Sequence, residues 1–156
     1  MHKLITTLWR SLRGPLQWRI LYFAHAKFMV GVTVACWNEN GEVLLMRHRF
    51  WPAEHPWGLP SGYARRGEEL AMTAQREVRE EAGYEIAADP VPVDVASGYK
   101  FRIEVLLNGA VAGGGRRLDK TEIDDAGFFG PDEIPDDILP SHREKIERAK
   151  LCRHQR

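Results

Sequence analysis

Gly62-Tyr-Ala-Arg-Arg-Gly67-Glu68-Glu-Leu70-Ala-Met-Thr-Ala74-Gln-Arg76-Glu77-Val78-Arg79-Glu80-Glu81-Ala82-Gly83-Tyr84 sets Glu68, Arg76, Glu77, Glu80 and Glu81 at fixed offsets between two glycines, Gly62 and Gly83. From Glu69 to Ala82 the spacing predicts a helix of about four turns. Leu70, Ala74, Val78 and Ala82 recur at i+4, with Ala71 beside them, and form an apolar stripe for packing on a core. Gly83 is placed to stop the helix in a left-handed conformation. Glu77, Glu80 and Glu81 stand at i, i+3 and i+4 and share one face next to that stripe. Carboxylates gathered at the wall of a cleft repel one another, and burial raises their proton affinity unless a cation intervenes. Arg76 can offset part of this by reaching Glu80 or Glu68. The remaining charge invites Mg²⁺ or Mn²⁺, hard ions that take carboxylate oxygens and bridge to substrate phosphates.

The chain has 156 residues, which suits one domain with a proper core. Hydrophobic residues make up 44% and charged residues 28%, the composition of an ordinary soluble protein. The two cysteines, Cys36 and Cys152, lack metal-ligand spacing and imply no disulfide framework, so a reducing cytoplasm is expected. No apolar run is long enough to span a membrane, and the N-terminus lacks a continuous signal-peptide core. Net charge is zero but unevenly spread. Residues 1–27 hold five Lys/Arg and no acid, whereas residues 28–142 sum to −9. An acidic middle argues against stable nucleic-acid binding by the domain.

Residues 4–23 read as a helical arm in two pieces broken at Gly14-Pro15, bearing Trp9, Trp18 and Tyr22. Packing on the domain or on a second copy of the chain is the expectation for this arm. Contact between residues 1–24 and an anionic membrane is the other reading. Strands are expected at 28–37 and 43–48 around an Asn40-Gly41 turn, then at 91–97, 100–107 and 121–129. Asn108-Gly109 is expected to turn the chain back, with 113–117 as a mobile loop. Pro140-Ser141 opens a last helix, with Ser141 and Glu144 as a capping box. Arm, strands, helix, strands, helix is the order of an α/β protein with helices on both faces of a mixed sheet.

Gly62, Glu68, Arg76, Glu77, Val78, Glu80, Glu81, Gly83 and Tyr84 together resemble the Nudix box: Gly, five residues, Glu, seven residues, then Arg-Glu-apolar-any-Glu-Glu-any-Gly-apolar. The resemblance is strong over residues 57–84 and weaker from Phe28 to Phe129. It implies an α/β/α sandwich spanning 28–156, with the arm at 1–27 outside it. It also implies metal-dependent hydrolysis of a nucleoside diphosphate linked to some group X, and hence a nucleotide-derived small molecule as substrate. By the same resemblance Glu77, Glu80 and Glu81 are the metal-binding face. Glu68 pairs with Arg76 or supports a metal, and Arg76 orients the acids. Ser61 stands where the family often has a second glycine. The general base is a box glutamate or an acid of a later loop, with Glu122 the candidate here. Two other uses of the fold are a non-catalytic nucleotide-binding module and an isoprenoid-diphosphate isomerase. The intact box argues against both.

Outside the box, Arg47 and Arg49 end a strand on one side of it and are candidate phosphate contacts. Tyr99 lies sixteen residues after Gly83. In some Nudix subfamilies a tyrosine near there accompanies dinucleoside polyphosphates, and a proline accompanies ADP-ribose. This chain has no proline there. Arg116 and Arg117 are further candidates for an anionic ligand.

Overall fold

The computed structural model describes residues 9–10, 12, 14–98 and 100–153. Tyr99 lies outside the described residues, as does most of the chain ahead of Gly14. Helix α1, Pro15–Ala24, opens with Gly14 at φ 91° and Pro15 in the first turn, so the expected break at Gly14-Pro15 is present. The expectation that the arm packs on the domain is not met along α1. None of its residues is buried, and Trp18, Tyr22 and Phe23 are 73%, 63% and 74% exposed.

The domain proper is one sheet with a helix on each face. Its strands are β1 Met29–Trp37, β2 Val43–His48, β3 Trp57–Gly58, β4 Ser61–Tyr63, β5 Tyr84–Ala88, β6 Asp94–Ser97, β7 Arg102–Gly114 and β8 Ile123–Phe129. Helix α2 is Leu70–Ala82 and helix α3 is Pro140–Arg153. The central order is β3-β2-β1-β7-β5, with β8 on β2, β4 on β1 and β6 on β7. β1 and β7 run parallel from Met29↔Arg102 to Trp37↔Ala110, and the other pairings are antiparallel, so the sheet is mixed.

Alternation along β1 divides the core in two, as period-2 side-chain direction requires. Val32, Val34 and Cys36 join Ala74, Val78 and Ala82 of α2 on one face. Ala35 and Trp37 join Ile146 and Ala149 of α3 on the other. The apolar stripe of α2 is therefore the stripe read from the sequence. Gly83 closes α2 at φ 81°, its N–H bonding the Arg79 carbonyl, and a Cβ there would stand 2.5 Å from the Gly115 carbonyl oxygen.

The Asn40-Gly41 turn forms, with Gly41 at φ 77° and Asn38 bonded to Glu42 through backbone and side chain. The Asn108-Gly109 turn does not form. β7 runs straight through it, because neighbours on both sides satisfy that backbone: β1 as far as Ala110 and β5 from Gly109 to Gly114. Asn108 spends its side chain on fixed partners instead, accepting from Trp37 Nε1 and donating to the Ala149 carbonyl. Gly109 lets Val34 and Ile86 close over the strand, at 3.2 and 3.3 Å from where its Cβ would be. The expected mobile loop at 113–117 is tied down by Gly115 N–H to the Gly83 carbonyl and Arg117 N–H to the Ala82 carbonyl. Helix α3 begins at Pro140, so Ser141 lies inside the first turn rather than capping it.

Candidate active site

β4 and α2 meet to form one wall of a cleft of about 640 Å³. Gly62 of β4 faces Glu77 of α2 so closely that a Cβ at position 62 would stand 2.0 Å from the Glu77 carboxyl. The absence of a side chain at 62 is what lets that carboxylate lie against the strand. Next to it, Arg76 is the hub of the acidic face. Its Nε and Nη2 donate to the two Glu68 oxygens at 2.8 and 3.1 Å. Its Nη1 donates to Glu77 at 2.6 Å and Glu80 at 3.3 Å, and Nη2 also reaches the Tyr63 carbonyl at 3.1 Å. Arg76 is only 10% exposed and has every nitrogen engaged. Its contacts are with the carboxylates of Glu68, Glu77 and Glu80 and the Tyr63 carbonyl. Glu68 is committed in the same way, since its Oε2 also accepts from Arg65 N–H and from the Thr73 hydroxyl. The Arg76 guanidinium, then the Arg65 N–H, hold its carboxyl down to about 2.

Glu81 is the opposite case. It is 7% exposed, and its Oε2 is buried without a hydrogen-bond partner among the described residues. Burial first, then the charges of Glu77, Glu122, Asp119 and Glu80, push its carboxyl up to about 8. The Glu77 carboxyl is also raised, chiefly by burial and against the pull of Arg76. Two desolvated carboxylates stand side by side with one cation between them and Glu68. Among the described residues no three acidic, imidazole or thiol side chains converge into a preformed cage. The fit to a divalent ion rests on other observations: an orphaned buried Glu81 oxygen, a glycine cradle at 62, and a donor set made only of oxygens. Those features suit a divalent ion beside Glu77 and Glu81, whereas Glu80 is half exposed, held by Arg76 and Arg65, and does not line the cleft.

Glu122 sits on the turn ahead of β8, lines the cleft with Glu77 and Glu81, and contributes to the rise at Glu81. Arg47 and Arg49 do point the same way, as strand alternation required, but they point at Asp124. Arg49 gives it two bonds at 3.0 and 2.7 Å and Arg47 one at 3.5 Å, and neither arginine lines the cleft. Arg116 is engaged too, by the Ala126 carbonyl and Asp125.

The rest of the cleft was not picked out in the sequence. One part is aromatic. His48 stacks on Trp51 at 3.9 Å, Trp51 meets His142 edge-on, and Phe50 stands 78% exposed at the rim. Gly58 makes room for this group, since a Cβ there would lie 2.4 Å from the Trp51 ring. His142 Nδ1 accepts from Leu59 N–H at 2.9 Å, so that nitrogen carries no proton. Burial lowers His142 to about 3 and His48 to about 4. The other part is charged and lines the cleft from the α3 side of the sheet: Arg102 and Glu104 of β7 with Lys145 of α3. Arg102 and Glu104 are two apart on one strand face, which was a usable signal. Nothing local to Lys145 announces its place, because its partner is forty-one residues away.

The NUDIX domain family model matches residues 27–149. A Bacillus subtilis (strain 168) protein named "Putative 8-oxo-dGTP diphosphatase" is 31% identical over 121 residues, covering 77% of this chain and 78% of that protein. A NUDIX hydrolase from Nitrosomonas europaea superposes with a TM-score of 0.69 at 25% identity, over 84% of this chain and 74% of that one. An ADP-ribose pyrophosphatase from Streptococcus suis 89-1591 superposes with a TM-score of 0.63 at 22% identity, over 81% and 90%. With the box folded onto one cleft wall and the family's domain matched over 27–149, the chain belongs to the Nudix hydrolases.

Proposed function

We propose that the chain hydrolyses the diphosphate linkage of a nucleoside diphosphate joined to X, giving a nucleoside monophosphate and phosphorylated X. The observation that carries this reading is the pair Glu77 and Glu81, desolvated together in a cleft of about 640 Å³ with one Glu81 oxygen unpartnered. That volume is the size of a small-molecule site. Nudix hydrolases generally use a divalent metal ion. Here Glu77 and Glu81, with Glu80 beside them on the helix face, would hold Mg²⁺ or Mn²⁺, which when bound neutralises developing charge on the phosphate oxygens and lowers the proton affinity of water. Arg76 fixes the rotamers of Glu77 and Glu80 and keeps Glu68 ionised. Glu122, which lines the cleft with Glu77 and Glu81, takes the proton of the attacking water as the new oxygen–phosphorus bond forms. The bridging phosphate–oxygen bond breaks, the leaving phosphate keeps the electron pair, and the Glu122 proton passes to solvent. Phe50 and Trp51 offer ring faces against which a nucleobase can stack.

A second reading takes X as phosphate alone, so that a nucleoside triphosphate yields pyrophosphate. The name of the Bacillus subtilis relative favours it. The two cysteines are both free, Cys36 buried, which suits a reducing compartment such as the cytoplasm. No helix among the described residues is long and apolar enough to cross a membrane. The deciding experiment is turnover of nucleotide sugars, ADP-ribose, dinucleoside polyphosphates and nucleoside triphosphates with Mg²⁺. Release of a nucleoside monophosphate from any of them supports hydrolysis. No release from any of them, with Mg²⁺ or Mn²⁺, rejects it.

A further inference from the structure

Helix α1 carries apolar side chains on opposite sides and buries neither. At about 100° per residue, Leu16, Ile20 and Phe23 lie on one side and Trp18, Leu21 and Tyr22 on the other. Of its ten residues only Gln17 and Arg19 bring an amide or a charge. Leu16, Trp18, Tyr22 and Phe23 are each more than half exposed, and no residue of the helix is buried. A helix that packs on a protein surface needs one apolar stripe, whereas a helix apolar all round needs to be surrounded. Ten residues make about 15 Å of helix, roughly half the hydrocarbon thickness of a bilayer, so α1 does not cross one. It suits the boundary between headgroups and acyl chains, where a helix sinks by roughly 5–10 Å.

Charge decides between a lipid surface and a second copy of the chain. Residues 1–27 carry Lys3, Arg10, Arg13, Arg19 and Lys27 and no acid. An arm paired with the same arm of a second copy brings those like charges together. An acidic domain would attract the arm, but this chain's own domain offers that surface at far higher effective concentration and leaves α1 bare. Anionic headgroups over acyl chains supply both the negative charge and the apolar surroundings. Arg19, Lys27 and Arg66 line one groove with Trp18 and Tyr22. The Lys27 ammonium stands 4.8 Å from the Tyr22 ring centre and 5.6 Å from that of Phe23. Aromatic rings with a cation reaching past them are the side chains that settle at headgroup level.

The apolar surface continues past the helix onto the domain. Met29 N–H bonds the Phe101 carbonyl at 2.8 Å, and Phe28, Met29 and Phe101 are all more than half exposed. The cleft opens next to this end of the sheet. Arg66 lines the α1 groove, and Arg65 beside it lines the cleft. Gly31 of the cleft follows Lys27 by four residues, about 13 Å of extended chain. We infer that α1, with Phe28, Met29 and Phe101, docks on the surface of an anionic bilayer and holds the cleft beside the headgroups. The inference stands apart from the hydrolase reading, since no cleft residue takes part in the docking.

The test is sedimentation of the full chain with phosphatidylcholine vesicles, alone and with phosphatidylglycerol added, at low and high salt. Two double variants are measured beside it. Trp18→Ser with Phe23→Ser takes one apolar ring from each side of α1, and Arg19→Gln with Lys27→Gln takes two charges. Wild type is expected to bind the phosphatidylglycerol vesicles about tenfold or more tightly than phosphatidylcholine alone, and salt should weaken that binding. Each double variant should bind the anionic vesicles about tenfold or more weakly than wild type. Both should melt within about 2 °C of wild type, because all four side chains are exposed. A ring variant that fails to fold leaves the charge variant to decide. Equal binding to neutral and anionic vesicles, or anionic binding that a folded variant retains in full, overturns the inference. So does wild type that leaves both kinds of vesicle unbound. If that wild type also elutes as a dimer that Trp18→Ser with Phe23→Ser splits, α1 belongs to a second copy of the chain instead.

Discussion

Gly62 and Glu77 touch so closely that no side chain can stand between them: a Cβ at 62 would sit 2.0 Å from the Glu77 carboxyl carbon and its Oε1. The glycine is fixed in β4 by pairing with Val32, so the strand cannot retreat easily. Gly62→Ala is expected to push the Glu77 carboxylate out of position while leaving both cores untouched. A misplacement of about 1 Å in such a site costs on the order of 100-fold in turnover. Steady-state kinetics beside a circular dichroism melt check this. Turnover within threefold of wild type would mean that Glu77 works equally well elsewhere.

Glu81→Gln removes the charge of the carboxylate that is buried deepest in the cleft. In protein free of divalent ions Glu81 has to take up a proton to be buried beside Glu77, Glu122 and Asp119, a cost the amide avoids, so the variant is expected to melt at or above the wild-type temperature. Millimolar Mg²⁺ should raise the wild-type Tm, because an ion that binds only the folded protein stabilises it. It should leave the variant nearly unmoved, and hydrolysis should fall by at least 100-fold. A variant with a normal Mg²⁺-induced rise in Tm would remove Glu81 from the metal set.

The apolar stripe and the acidic face of α2 are legible in the sequence because intrahelical spacing sets which residues share a face, whereas Gly62, Tyr63 and Glu68 meet Glu77 and Arg76 from outside the helix. The Asn40-Gly41 turn is legible for the same local reason. Where partners come from far along the chain, local signals misled or were absent. Asn108-Gly109 has turn chemistry, but β1 and β5 claim its backbone from both sides. Arg47 and Arg49 share a side as strand alternation leads one to expect of phosphate contacts, but Asp124, some seventy-five residues on, accepts from both. Lys145 meets Glu104 from forty-one residues away, and no local pattern announces that contact.

The two buried imidazoles give the fold an acid limit. His142 is lowered to about 3 and His48 to about 4, chiefly by burial, against about 6.5 in the unfolded chain. The unfolded state therefore takes up protons first. Their stabilising contribution is complete above pH 6.5 and drains away as pH falls from there toward 4 and then 3. The loss over that window is on the order of a few kcal/mol. Urea unfolding at pH 7.5, 6 and 5 is expected to show a falling midpoint. His142→Gln, which cannot take up a proton, should flatten that fall even if it starts lower. An equally steep acid limb in the variant would assign the effect to carboxylates instead.

The arm is expected to be separable from catalysis. Helix α1 buries none of its residues, the family match begins at residue 27, and β1 is anchored from Met29 through its N–H to the Phe101 carbonyl. Among the described residues, removing 1–24 takes nothing from that anchor, from either core or from the cleft lining. The truncated enzyme should keep kcat/KM within about twofold and melt within about 2 °C of the full chain, because surface changes remote from packing cost little. Loss of turnover on truncation would place part of the arm in the active enzyme. What truncation should change is association. Exposed Trp18, Tyr22 and Phe23 beside Arg19 and Lys27 form an apolar, basic surface that a monomer has no reason to keep bare. A full chain that elutes as a dimer should elute as a monomer once shortened, and one that sediments with anionic vesicles should cease to do so. If the full chain does neither, the surface serves a different partner, and the two readings of the arm drawn from its sequence both fall.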